Sequence, residues 1–321
     1  MALGPVGPIP AGPFHLRHAS RRPNPVSHRD AYALLLVVAL IWAGNFPLAK
    51  LGLAEIGPMT LAATRALIAA PLLVLVSRLL EGPLPPLARR DLTAVIVLAV
   101  TGFVGNSMLW YVGMRFTTPA NAGILGAASP VVVALAAAAW LRERLSPVNL
   151  AGIALTALAV VLTVARGSIE ILLTLSVNGG DLIILASQLL WVIYTLYSRA
   201  NLSTFSPLQM LAGAHVVAAG LLFPLALLER PWQSFASASW FVFVVILYSA
   251  LLGTPAHIAY YQAVRTVGPG RAAVFTNLIP FLVLALSWLL LGEPIRWYHL
   301  VGAAAVIGGV ALTSHRGRAT G

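Results

Sequence analysis

Residues 119–143 read PANAGILGAASPVVVALAAAAWLRE, and residues 269–293 read PGRAAVFTNLIPFLVLALSWLLLGE. The second stretch repeats the first at an offset of 150, so Pro119, Pro130 and Glu143 have counterparts at Pro269, Pro280 and Glu293. Each is apolar over the length needed to cross a bilayer and carries a proline near its middle. A proline inside a helix frees the carbonyl four residues before it, here Gly126 and Thr276. Freed carbonyls at membrane depth are tolerated only against protein or a water-filled cavity. Matched interruptions in two halves of an apolar chain point to a solute-binding site between them. Pro130 and Pro280 are therefore expected to act as hinges, with Glu143 and Glu293 anchoring the rim.

The repeat runs well beyond this pair. Trp42, Lys50 and Pro58 pair with Trp191, Arg199 and Pro207 at a spacing of 149, and Tyr111, Arg115, Gly152, Thr163, Arg166 and Gly167 pair with Tyr261, Arg265, Gly302, Thr313, Arg316 and Gly317 at 150. A register held over so many positions is an internal duplication. Ten apolar runs of membrane-crossing length fall within it, at about 31–52, 59–80, 92–114, 119–141, 147–166, 180–199, 206–228, 238–263, 269–291 and 297–314. Backbone in lipid must satisfy its own hydrogen bonds, so each run is expected to be a helix. Five spans per half is an odd number, so the halves enter the membrane from opposite faces. The expected fold is an all-α integral membrane protein of ten transmembrane helices arranged as a five-plus-five inverted repeat. The repeats occupy residues 31–167 and 178–315, between a disordered basic tail at 1–30 and a short tail at 316–321.

Composition agrees. Of 321 residues, 59% are hydrophobic and 9% charged, with a mean hydropathy of +0.89, whereas a soluble domain carries about 25% charged residues. The net charge of +11 would suggest nucleic acid in a soluble protein. Here the basic residues flank apolar runs and set topology, so a lipid bilayer and a small-molecule solute are the expected partners and nucleic acid is not. Arg17, Arg21, Arg22, Arg29, Arg78, Arg89, Arg90, Arg142, Arg144, Arg199, Arg265, Arg271, Arg316 and Arg318 share one side, against Lys50, Arg115, Arg166, Arg230 and Arg296 on the other. The richer side is expected in the cytoplasm, with both termini, in the cell (inner) membrane. Ser20-Arg21-Arg22 raises a twin-arginine signal. It is set aside because Pro23, Asn24 and Pro25 follow and no small-residue cleavage site comes after the first run. With no cysteine, thiol chemistry and cysteine metal sites are excluded. No cofactor is expected, and nothing in the sequence asks for more than a monomer.

Trp42-Ala43-Gly44-Asn45-Phe46 in the first span, two five-helix halves, and a proline followed thirteen residues later by glutamate and then a glycine-rich fifth span (Pro130, Glu143, Gly152; Pro280, Glu293, Gly302) resemble the drug/metabolite transporter superfamily, EamA-type. The resemblance covers about residues 31–315 and implies a secondary transporter, an exporter of amino acids or other small metabolites.

Polar side chains in apolar spans identify candidate binding residues, because the membrane makes them costly. Arg65 either anchors a substrate carboxylate in a cavity or snorkels to the interface. Asn45 and Asn106 (beside Ser107), with Gln188 and Asn277 (beside Thr276), either bind a polar solute or bridge helices. Trp110, Trp191, Tyr194 and Tyr260, with Tyr111 and Tyr261, could wall a cavity for an amphipathic solute such as a larger amino acid, or simply pack. Trp42, Trp140, Trp232, Trp240 and Trp297 are expected as interfacial belt or packing. His215 and His257 could titrate near neutral pH or sit neutral against backbone carbonyls. No Asp or Glu falls mid-span: Asp30, Glu81, Asp91, Asp181, Glu229 and Glu293 sit at ends or loops. Proton antiport is therefore not indicated, and facilitated diffusion or exchange is the simpler expectation.

Other classes find little support. There is no HExxH, no Gly-x-Ser-x-Gly, no aspartate cluster and no P-loop, so an enzyme or ATP-driven pump is not expected; Gly105-Asn106-Ser107 lacks a base. A channel or scaffold would not require matched proline breaks. A sugar-phosphate or nucleotide-sugar carrier remains an alternative, but multiply charged substrates call for several intramembrane cations, and Arg65 stands alone at depth.

Overall fold

A computed structural model describes residues 27–82, 89–141, 146–174, 177–201 and 206–313. Among these residues the chain is helical and forms no strand. Residues 1–26 of the basic tail, the residues after Thr313, and Arg142, Glu143 and Arg144 lie outside them, whereas residues 28–30, expected in the tail, begin the first helix behind the Ser27 cap. Spans one and two are His28–Gly52 and Pro58–Glu81. Span three is Arg89–Leu98, a π-helical Ala99–Gly105 and Asn106–Phe116. Span four is interrupted at Ala128 between Pro119–Ala127 and Ser129–Leu141, and span five is Pro147–Val164. Spans six and seven are Gly179–Asn201 and Pro207–Leu227. Span eight is Trp240–Leu247, a π-helical Tyr248–Gly253 and Ala256–Val267. Span nine breaks between Pro269–Thr276 and Ile279–Leu291, and span ten is Trp297–Thr313. Ser27, Thr118, Ser146 and Ser206 cap their helices with side-chain oxygens, which supplies an acceptor to otherwise orphaned amides.

The packing obeys the duplication. Span two lies on seven, five on ten and four on nine; span three packs on six as span one packs on eight, and four on six as nine on one. Exchanging the halves maps this set of pairs onto itself. Individual repeated residues now have meaning. A β-carbon on Gly152 would lie 2.5 Å from Thr313 Oγ1, and one on Gly302 would lie 2.8 Å from Thr163 Oγ1, so the glycines let spans five and ten touch. Both threonines bond back to the carbonyl four residues earlier, Ala159 and Gly309, at 2.8 Å each. Spans two and seven cap each other reciprocally. The Glu229 carboxylate accepts from Thr60 N and Oγ1, both at 2.8 Å, while Ser206 donates to Glu81 at the other end.

Spans one, eight and nine form one bundle and three, four and six its mate, with two and seven between and five and ten as scaffold. We call the end carrying Lys50 and Glu293 the distal face and the end carrying Ser27 and Thr313 the terminal face. The bundles meet toward the distal face, where Pro119–Ala127 packs on spans one and nine and Asn106–Phe116 packs on span one. Toward the terminal face, Ala256–Val267 packs on spans one and nine, and Ala31, Leu35, Ala263, Val267 and Ala272 bury one another in a core of their own. The result is a cleft closed at the distal face and parted at the terminal one.

Candidate functional site

Arg65 stands at the head of this cleft. From span two it turns toward span three, where Nη2 donates to Ser107 Oγ at 3.1 Å and the guanidinium carbon lies 5.7 Å from the centre of the Tyr111 ring. That is cation–π range. Its Nε and the Tyr111 hydroxyl are buried with no hydrogen-bond partner among the described residues. A buried donor without an acceptor costs about 1–3 kcal/mol, so this arrangement favours a ligand that supplies one.

Rings from both bundles form two clusters of their own. Trp191 and Tyr194 stack at 4.9 Å, Tyr194 meets Phe103 edge-on at 5.5 Å, and Phe103 lies 4.2 Å from His215. On the opposite bundle Trp42 lies 4.9 Å from His257 and 5.4 Å from Tyr260, which adjoins Tyr261 at 6.0 Å. Trp110 joins Phe46 and Tyr111, at 5.1 Å each. The two walls are repeat counterparts, Trp42 with Trp191 and Tyr111 with Tyr261. Trp42 thus packs inside the cleft, with its indole N–H donating to Gly253 O at 3.2 Å, and takes no place in an interfacial belt. Gly253 ends the π segment of span eight, which matches the π segment of span three. Such segments leave carbonyls off the α-helical ladder and are frequent at functional sites.

His215, 3% exposed, holds its Nδ1 2.9 Å from Leu211 O, and His257 holds its own 3.1 Å from Thr254 O. A carbonyl can only accept, so each Nδ1 carries the proton and each Nε2 is left as an acceptor. Both rings lie within electrostatic reach of Arg65.

The remaining candidates divide. Asn106 donates to Ser187 O at 2.8 Å, bridging spans three and six. Gln188 contacts the Ser129 hydroxyl, which donates to Gly126 O at 2.6 Å; the carbonyl freed by Pro130 is thus received by a side chain. Asn277 sits half-buried in the break before Pro280, and Asn45 is half-buried on span one, without a hydrogen bond among the described residues.

The closed distal face involves residues that sequence placed only at helix ends. Lys50 donates to Met114 O, Arg115 O and Thr117 O at 2.8, 3.1 and 2.7 Å, tying span one to the end of span three. Burial holds the Glu293 carboxyl above the usual carboxylate range, against the Ala120 amide and Lys50, which pull it down. The exposed Glu55 carboxylate accepts from Ser239 N and Oγ at 2.6 and 2.7 Å, and these bonds hold it below that range. Asp181, 0% exposed, accepts from Thr117 and Asn121.

The EamA-like transporter family matches the chain twice, at residues 30–165 and 178–315. The uncharacterized transporter YyaM of Bacillus subtilis (strain 168) is 27% identical over 290 residues, covering 90% of this chain and 95% of its own. An uncharacterized transporter of Archaeoglobus fulgidus is 29% identical over 289 residues, covering 88% and 96%. A probable terminal-alkyne amino-acid exporter of Streptantibioticus cattleyicolor is 28% identical over 293 residues, covering 90% and 94%. A protein of known crystal structure shares the fold at a TM-score of 0.60 and 20% identity, over 90% of this chain and 98% of its own. With both halves matched and ten helical spans among the described residues paired as an inverted repeat, the chain belongs to the EamA-like transporter family.

Proposed function

We infer that this membrane transporter exports a small amphipathic carboxylate, an amino acid with a large side chain, by alternating access. In this reading the terminal face is cytoplasmic, in the inner membrane, and the cleft is the inward-open site. Arg65 pairs with the carboxylate, His215 and His257 offer Nε2 acceptors to the ammonium group, and the two aromatic walls take the side chain. Pro130 and Pro280 are the hinges about which the bundles tilt. The observation that carries the reading is Arg65 Nε, buried and unpartnered among the described residues, between facing aromatic walls. A phosphorylated substrate fits less well, because no second cationic side chain accompanies Arg65 among the described residues of the cleft. The test is uptake of labelled amino acids, from alanine to tryptophan, into proteoliposomes. Large neutral amino acids should move and their decarboxylated amines should not; equal transport of both would exclude Arg65 as the anchor.

A further inference from the structure

A cavity of about 500 Å³ opens between spans four, five and six, within the range of small-molecule sites, about 300–1,000 Å³. Its floor is Leu125, Ala128 and Val131, which flank the break in span four and are 0%, 3% and 4% exposed. Its rim is Leu135, Val161, Leu182 and Leu189, all exposed. Leu182, Leu185 and Leu189 recur at helical spacing on the side of span six turned from Trp191, so the cavity opens away from the cleft and toward the bilayer. Val161 and Leu182 lie within one turn of the distal ends of spans five and six. From Val161 to Ile153 the wall of span five runs inward by about 12 Å, well into a hydrocarbon core about 30 Å thick.

Water does not suit this space. Among the described residues lining it, Thr156 and Gln188 are the polar ones. Gln188 is engaged by the Ser129 and Ser187 hydroxyls. The Thr156 hydroxyl is turned toward span ten, where a β-carbon on Gly309 would lie 2.1 Å from it. A buried water needs about two to four polar partners, and an apolar cavity without them stays dry and takes apolar guests. Left empty, the cavity would forfeit the dispersion contacts of its lining. The duplication shows what a crevice in this position holds. At an offset of 150, Leu125, Ala128 and Val131 correspond to Phe275, Leu278 and Phe281, so span nine is bulkier at all three. Phe275 stacks on Tyr32 of span one with ring centres 5.8 Å apart, so rings of the chain itself fill the approach of spans nine and one. Span four carries smaller side chains at these positions, and the room they leave is the cavity.

We propose that this cavity is a lipid-binding site, occupied by one acyl chain of a phospholipid of the leaflet at the distal face. Hydrocarbon is the solvent of the rim at that depth, and the acyl chain supplies from outside the apolar volume that Phe275, Leu278 and Phe281 supply in the other half. Ala128 and Val131 stand on either side of Ser129-Pro130, so the bound chain lies against the break in span four. With Pro130 as a hinge, the acyl chain is a wedge beside the moving joint. The site itself does not rest on that reading, and it is independent of which solute is carried.

The full-length protein is reconstituted in phosphatidylcholine vesicles in which one acyl chain carries a diazirine, irradiated, and mapped by mass spectrometry. Carbene adducts on the buried Leu125 and Ala128 are divided by those on Leu158, 66% exposed on the outer side of span five and the measure of bulk lipid contact. The floor should label at a level comparable to Leu158. Val131→Phe, which restores the ring of the counterpart, and Ala186→Phe, which enters from span six, should each lower the ratio about tenfold, because ring and acyl chain cannot share the space. Wild-type labelling of the floor is decisive by itself should a variant fail to fold. Adducts confined to Leu158, or a ratio unchanged in both variants, would overturn the proposal. So would floor adducts displaced by added phenylalanine, which would place solute in the cavity, or adducts that appear only on dilution of the protein in lipid, which would place a second copy of the chain over it.

Discussion

Lys50→Met removes the ammonium that joins the two bundles at the distal face. Its Nζ lies 2.8, 3.1 and 2.7 Å from the carbonyls of Met114, Arg115 and Thr117, groups that the end of a helix leaves without amide donors. One hydrogen bond to a charged group is worth about 1.5–3 kcal/mol. The three share one ammonium and do not add, so about 2–4 kcal/mol is expected. Methionine keeps the apolar stem and its packing, which confines the loss to the polar contacts. Because lysine and carbonyls sit on different bundles, the loss falls on the closed form, and 2–4 kcal/mol changes the closed-to-open ratio roughly 30- to 700-fold. Maleimide labelling of Ala122→Cys from the distal side reads that ratio. The Lys50→Met background should accelerate labelling by at least tenfold at unchanged pH, with protein still extracted as a folded monodisperse species. Labelling as slow as in wild type would refute the assignment of Lys50 as a gate residue.

Three further outcomes follow from packing and charge. Gly309→Val places a β-carbon 2.1 Å from Thr156 Oγ1 and 2.6 Å from Gly152 O; the overpacking should cost about 1–3 kcal/mol and lower Tm in thermal scanning, and an unchanged Tm would contradict the close crossing of spans five and ten. Gly57→Ala drives its methyl against Glu229 Oε2, 1.9 Å away, and should destabilise by more than the loss of one cap, about 1 kcal/mol; denaturation that matches wild type would exclude the Glu229 cap. Because burial raises the Glu293 carboxyl from its ordinary 4.5, this group favours the folded state in acid and loses that contribution as pH rises through its folded value. The Tm difference between Glu293→Gln and wild type should therefore move in favour of the variant from acid to neutral pH, and a difference that moves the other way would reject the burial assignment.

Much of the architecture is legible in the sequence because hydropathy and duplication encode it directly. The ten helices fall within a few residues of the apolar runs, and the pairs Gly152 with Gly302 and Thr163 with Thr313, first seen as repeated letters, turn out to be the contacts of one crossing. The breaks of spans four and nine lie at the prolines that announce them. The π-helical turns of spans three and eight were not legible, since no residue type forces them. Phe103 was missed as the ring against His215 because nothing distinguishes a cleft phenylalanine from a lipid-facing one in a composition this apolar. Trp42 illustrates the same ambiguity, as an indole at span depth reads equally as belt or packing. The burial of Asp181 was not legible for a different reason: a helix-end position gives no sign of it, and Thr117 and Asn121, remote in sequence, are brought onto its carboxylate only by the fold.

The central claim is that the cleft binds a carboxylate through Arg65, and one titration tests it directly. Tryptophan fluorescence of purified wild-type protein should report saturable binding of phenylalanine and much weaker binding of phenethylamine, which lacks the carboxylate. Arg65→Met should weaken phenylalanine about 10- to 100-fold, the worth of a charge-assisted bond of about 1.5–3 kcal/mol, and leave phenethylamine unchanged. Equal affinity of wild type and Arg65→Met for phenylalanine would contradict the account.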